Sequence, residues 1–144
     1  MKKLTITGVV LTIYLLILSC VGLVSNKITV QITKGAGNNY YEIEVYSNSA
    51  LSIDNTNTFV FSFQDSKNTI LEVNTGRLES GFSSWTSYKE YARGVYIVVV
   101  KIDGNEDNRI TPSQGDIYSY KYVVVNEDNQ ASVSFSSTDN WYGL

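Results

Sequence analysis

The chain has 144 residues and a formal net charge of −3, with eleven Tyr, one Cys, one Pro and no His. That length holds one domain once an export segment is set aside, because single domains run about 100 to 150 residues. The lack of His excludes Ser-His-Asp triads and imidazole-bound metals, and an acidic balance without an arginine cluster excludes a nucleic-acid interface.

Lys2 and Lys3 open the chain, and residues 4–19 (LTITGVVLTIYLLILS) form an uncharged apolar run that ends at Cys20. This is the layout of a secretory signal. Ile17-Leu18-Ser19-Cys20 resembles the lipobox of bacterial lipoproteins, with an aliphatic residue at −3, a small residue at −1 and the cysteine at +1. The resemblance implies that residues 1–19 are removed, that the Cys20 thiol is acylated and that residues 20–26 are a short tether. The alternative is an uncleaved membrane anchor reaching residue 24, since about 20 apolar residues cross a hydrocarbon core. In both cases residues 27–144 lie outside the cytoplasm, in the cell envelope facing the periplasm or the exterior. Without Lys2 and Lys3, 9 basic side chains oppose 14 acidic ones, a balance of −5.

Residues 27–33 (KITVQIT) alternate apolar and polar, and residues 35–39 (GAGNN) carry turn chemistry. Alternation resumes with Tyr41, Ile43 and Val45 on one face and Glu42, Glu44 and Tyr46 on the other, which predicts a β-hairpin with the two glutamates on its solvent face. Further strands are predicted at 58–63 (TFVFSF), 69–73 (TILEV), 95–102 (VYIVVVKI), 117–125 (IYSYKYVVV) and 131–136 (ASVSFS). Asn, Asp, Gly and Ser clusters separate them, so an antiparallel β-sandwich of seven or eight strands is expected. Helix is expected in the signal or anchor and at most as one turn near residues 84–91. The unbroken apolar run 95–100 predicts a central strand covered on both faces.

Residues 103–111 (DGNEDNRIT) place Asp103, Asn105 and Asp107 at alternate positions of an acidic loop. Calcium takes six to eight hard oxygens, and such a loop can supply them, with the Arg109 backbone carbonyl and Asp116 completing the set. Asn108 stands where a calcium loop has its sharp-turn glycine, and Gln114 where it has a bidentate glutamate. Structural Ca2+ is therefore one expectation for this loop and a solvated turn the other. Trp85 and Trp141 sit in polar surroundings; each reads first as a structural ring, and an exposed, weak binding platform for sugars or a protein partner is the alternative.

Residues 94–103 (GVYIVVVKID), the acidic loop, Pro112 and residues 115–120 (GDIYSY) resemble the transthyretin-like or prealbumin-like (Ig-like) β-sandwich modules of bacterial surface lipoproteins. In those modules a GxYxVxxxxD strand runs into an Asp/Asn/Gly-rich turn and then a PxxGD segment leading into a Tyr-rich strand. The resemblance spans residues 92–125 and implies a sandwich with the acidic loop at one end. The function expected is a non-enzymatic lipid-anchored surface module with a structural or protein-interaction role. A carbohydrate-binding or adhesion module is the alternative.

Overall fold

The computed structural model describes residues 26–35, 37–47, 70–112, 114–126 and 130–144, together with the backbone of 51–53 and 59–61. The export segment, Cys20 and residues 20–25 of the tether lie outside the described residues, as does the helix expected there. Among the described residues the chain is all β, with no helix, and no helix long and apolar enough to cross a membrane.

The strands are β1 (Ile28–Thr33), β2 (Tyr40–Ser47), β3 (Leu51–Ile53), β4 (Phe59–Phe61), β5 (Ile70–Arg77), β6 (Phe82–Thr86), β7 (Gly94–Ile102), β8 (Ile117–Val125), β9 (Ala131–Ser136) and β10 (Tyr142–Gly143). Eight of them form two sheets, ordered β6-β1-β9 and β10-β8-β7-β2-β5, while β3 and β4 pair with each other. One core joins the sheets. Ile28, Val30 and Ile32 of β1, Trp85 of β6 and Val133 and Phe135 of β9 face Ile43 and Val45 of β2, Val98 and Val100 of β7 and Val123 of β8. Burying each such side chain contributes about 1.5 to 3 kcal/mol, so this seam dominates the stability of the fold.

Pairing departs from the sequence expectation in two places. β1 and β2 do not form a hairpin: β1 pairs with β6 and β9, and β2 with β5 and β7. Alternation sets which face of a strand is buried and not which strand lies beside it, so two similar patterns can face each other across a core. The connection between them changes sheets, with Gly35 in the left-handed region at φ 65°. The second departure is that β1 and β9 run parallel, Ile28 opposite Ala131 and Thr33 opposite Ser136. A parallel pair needs a long crossover, and here the crossover is nearly the whole domain.

β7 is the central strand of the five-stranded sheet, and its Ile97, Val98, Val99 and Val100 are all buried. Val98 and Val100 belong to the seam between the sheets; Ile97 and Val99 pack with Tyr46, Tyr118 and Tyr120 on the opposite face. Double coverage explains the missing alternation. It also corrects the solvent-face reading of Glu42 and Glu44. Glu44 is buried, its carboxylate accepts from the Tyr46 hydroxyl at 2.6 Å and it pairs with Lys101 Nζ at 2.7 Å. Glu42 meets the same ammonium at 2.8 Å, because the register sets it opposite Lys101.

The segment after β6 also differs from expectation. Residues 82–86 form an edge strand and not a helical turn, with Trp85 opposite Val30. Beyond it the chain is tied to the start of β1: Ser87 N–H donates to the Ile28 carbonyl at 2.9 Å, and Tyr91 N–H to the Asn26 carbonyl at 2.9 Å. Glu72 of β5 is buried against this segment, accepting from Tyr88 N–H at 2.7 Å and from the Tyr91 hydroxyl at 2.7 Å. Burial, reinforced by the Glu72 carboxylate, holds the Tyr91 phenol far above its ordinary range, so it remains a donor at all working pH.

These ties give the sandwich two distinct poles. The N-terminal pole gathers Asn26, residues 87–93, the start of β7 and the end of β8. The acidic pole, at the other end of the strands, gathers residues 34, 35 and 37–39, the turn before β6, residues 103–112 and 114–116 and the C-terminus.

Candidate functional site

The acidic loop leaves β7 at Ile102 and returns at the start of β8. Its first and last carboxylates point inward: Asp103 and Asp116 are each 1% exposed. Main-chain N–H groups surround them. Asp103 accepts from Asp107 N–H at 3.2 Å and Asn108 N–H at 2.7 Å. Asp116 accepts from Gly104 N–H at 3.0 Å and Thr111 N–H at 2.5 Å. A carboxylate that collects two amide protons supplies the partners a buried, non-helical backbone lacks, and such charge-assisted bonds are stronger than neutral ones.

The other loop residues named from the sequence lie on the surface. Asn105 Oδ1 accepts from Asp107 N–H at 3.0 Å, and its amide donates to the Gln114 carbonyl at 2.8 Å. Asp107 Oδ1 accepts from Arg109 N–H at 2.9 Å. Both are Asx turns, the local hydrogen bonding that favours these residues in loops. Asn108 takes the left-handed conformation expected of it, φ 68°, and Glu106 does so at φ 64°. The two limbs of the loop touch at Gly104, where a Cβ would collide with the Gly115 carbonyl oxygen. Among the described residues no three acidic or cysteine side chains converge to hold a metal ion.

Beside the loop is a cavity of about 260 Å³ lined by Asn38, Asn39, Tyr40, Arg77, Glu106 and Asn108. Hydrogen bonds from Asn39 and from Arg77 join groups around it. Asn39 donates to the Asp103 carbonyl at 2.9 Å, and Arg77 donates to the Asn38 carbonyl at 3.2 Å and to Asn108 Oδ1. The loop is thereby fastened to β5 and to the sheet-changing connection.

The two tryptophans have different surroundings. Trp85 is 7% exposed and belongs to the core, so the structural reading holds for it and the exposed-platform alternative does not. Its neighbours are polar for two reasons: Ser84 and Thr86 face outward on the edge strand, while Ser83 and Ser87 share the ring's inward face and are hydrogen-bonded to the Tyr41 hydroxyl and to the Ile28 N–H. Trp141 is half-buried: its indole N–H donates to the Ser136 carbonyl at 2.8 Å, and Lys34 Nζ lies 4.4 Å from its ring centre.

A second cleft, about 240 Å³, is lined by Ser119, Tyr120, Lys121, Asp139, Asn140 and Tyr142. Lys121 is its pivot, 2.7 Å from Asp139 Oδ1 and donating at 2.7 Å to the Ser134 carbonyl on β9. The Lys121 hydrogen bond, helped by the Ser136 N–H, holds the Asp139 carboxyl below its ordinary range. Tyr120 and Tyr142 stack at 6.3 Å between ring centres. This grouping escaped the sequence reading because it joins β8 to a segment some twenty residues later. The Tyr-rich strand was the only signal for it.

Comparison with known proteins yields no match: no family model, no curated protein and no solved structure is significantly similar to this chain.

Proposed function

We propose that this chain is a lipid-anchored module of the cell envelope, exported, cleaved before Cys20 and acylated there, with a prealbumin-like sandwich in a structural or protein-interaction role. The observation that carries the reading is the lipobox-like run Ile17-Leu18-Ser19-Cys20 at the end of an uncharged apolar segment that follows Lys2 and Lys3. Ile17-Leu18-Ser19-Cys20 precedes by only a few residues Ile28, where the central strand of the three-stranded sheet begins. A domain so placed is held at a bilayer from its first strand, and the multiple acyl chains of a lipoprotein cysteine give stable attachment where one chain gives marginal binding.

A role without catalysis is supported by residue types: there is no His, and the one Cys belongs to the export segment. The prealbumin-like reading is supported by residues 92–125, which form β7, the acidic loop and β8 as adjacent antiparallel strands. In this account the loop is a structural cap whose inward carboxylates serve its own backbone. Calcium, the alternative ligand, would share Asp103 and Asp116 with the four N–H groups that they already accept from.

Replacing Cys20 by Ser tests the anchor. The variant is expected in the soluble fraction or as uncleaved precursor, whereas wild-type protein partitions with membranes; identical membrane partitioning of mature-length protein would overturn the proposal.

A second reading, a carbohydrate or adhesion module, is favoured by one feature, the cleft that sets the Tyr120 and Tyr142 rings beside Lys121, Asp139 and Asn140. Ring faces and planar polar groups together suit a sugar. Glycan-array binding that is lost in Tyr142→Ala would establish it; an array without binding would dismiss it.

A further inference from the structure

We infer that the N-terminal pole of the sandwich docks on the phospholipid bilayer, with Tyr88 and the Val95/Val124 pair in its interfacial layer and the acidic pole held away from the membrane. The inference rests on the lipid-anchor reading and adds an orientation to it.

Chain reach comes first. Asn26 is six residues from Cys20, and an extended chain spans at most about 3.3 to 3.6 Å per residue, so this pole lies within about 20 Å of the acylated cysteine. The nine residues of β7 extend about 30 Å to the far end, which places the acidic pole well beyond that reach. An anchored chain therefore presents the N-terminal pole to lipid far more often than the other.

Surface chemistry agrees with the reach. Tyr88 is 78% exposed, on the segment that Tyr91 ties to Asn26. Val124 is 56% exposed and sits opposite Val95, 40% exposed, on the outer face of the five-stranded sheet at the same end. Ile70 is exposed at the start of β5, two strands from β7 and opposite Tyr46 of β2. Exposed rings and β-branched side chains near a tether gain free energy by entering the interfacial layer, where tyrosine keeps its hydroxyl wet.

Charge sets the direction. Among the described residues Lys27, Lys89 and Arg93 stand at this pole against Glu72 and Glu90, a balance of 3 − 2 = +1. The opposite pole concentrates Glu79, Asp103, Glu106, Asp107 and Asp116 against Lys34, Arg77 and Arg109. An anionic leaflet repels that end and tolerates the other.

The test uses the full, acylated chain in phosphatidylethanolamine/phosphatidylglycerol vesicles carrying brominated acyl chains, with tryptophan added at one pole or the other. Tyr88→Trp and Val124→Trp are expected to show quenching several-fold above the wild-type background, and Tyr142→Trp none beyond it. Equal quenching of all three, or none in Tyr88→Trp and Val124→Trp while the protein floats with the vesicles, overturns the docking. Protein that does not float overturns the anchor reading instead, and the docking with it.

Discussion

The two poles of this sandwich solve opposite problems. At the acidic pole a fourteen-residue excursion from the sheet satisfies its own backbone, with Asp103 and Asp116 turned inward to receive main-chain N–H groups and Asn105 and Asp107 closing local turns. At the N-terminal pole the buried polar contacts include Glu72 with Tyr88 and Tyr91 and Ser87 with Ile28, while Tyr88, Val95 and Val124 are left exposed. The difference separates two meanings of a charged loop and an apolar surface. Carboxylates that a sequence offers as ligands here hold the chain, and the exposed apolar side chains lie at the opposite pole.

Substitutions at the acidic pole sharpen that contrast most. Asp103→Ala and Asp116→Ala each leave two N–H groups without an anionic partner and are expected to lower the unfolding free energy by about 3 kcal/mol, measured by urea denaturation. Asp107→Ala, on the surface of the same loop, is expected to cost under about 1 kcal/mol. Equal effects at all three positions would show that burial does not divide the loop as described.

At the other pole Tyr91→Phe removes one donor from the buried Glu72 carboxylate, with an expected loss of about 1 to 2 kcal/mol in the same measurement. Its effect is expected to stay constant from pH 6 to pH 9, because the Tyr91 phenol stays protonated there. Asp139 behaves differently. Its carboxyl is held below the unfolded value by Lys121, so its contribution is complete above the unfolded carboxylate range, near pH 4, and is lost as pH falls through the lower folded value. The stability gap between wild type and Asp139→Asn should therefore be constant at neutral pH and close below about pH 4. A gap that widened on acidification would contradict the Lys121 pairing.

The smallest effects are expected where the surface is open. Val95→Ser and Val124→Ser should change stability by about 0.5 kcal/mol or less in detergent solution, since neither side chain belongs to the core. Melting of the domain should likewise be the same in calcium and in chelator if the loop carboxylates serve only the backbone. A higher melting temperature in calcium, abolished by Asp103→Ala, would show a bound ion by mass action.

Much of this fold was legible in the chain. The run 95–100 marked the central strand because double burial removes alternation, and the strands at β1, β2, β8 and β9 followed from period-two patterning. What was not legible is non-local. Nothing in residues 27–46 says that β1 and β2 belong to different sheets, or that the first long strand closes parallel against the last. Glu44 read as solvent-facing because its buried counter-charge, Lys101, is supplied by a strand fifty residues later. Trp85 carried an exposed alternative because every residue beside it in the chain is polar, and two of these, Ser83 and Ser87, turn inward with it. Of the candidate site, the residues and the left-handed Asn108 could be named in advance; the inward turn of Asp103 and Asp116, and the cleft around Lys121, depended on contacts across the fold.

The most direct test of the whole account is the intact mass of the native protein extracted from membranes. A chain beginning at Cys20 and carrying two or three acyl groups is the expected result. An unmodified chain that retains residues 1–19, or a native protein recovered free in the cytosol, would contradict it.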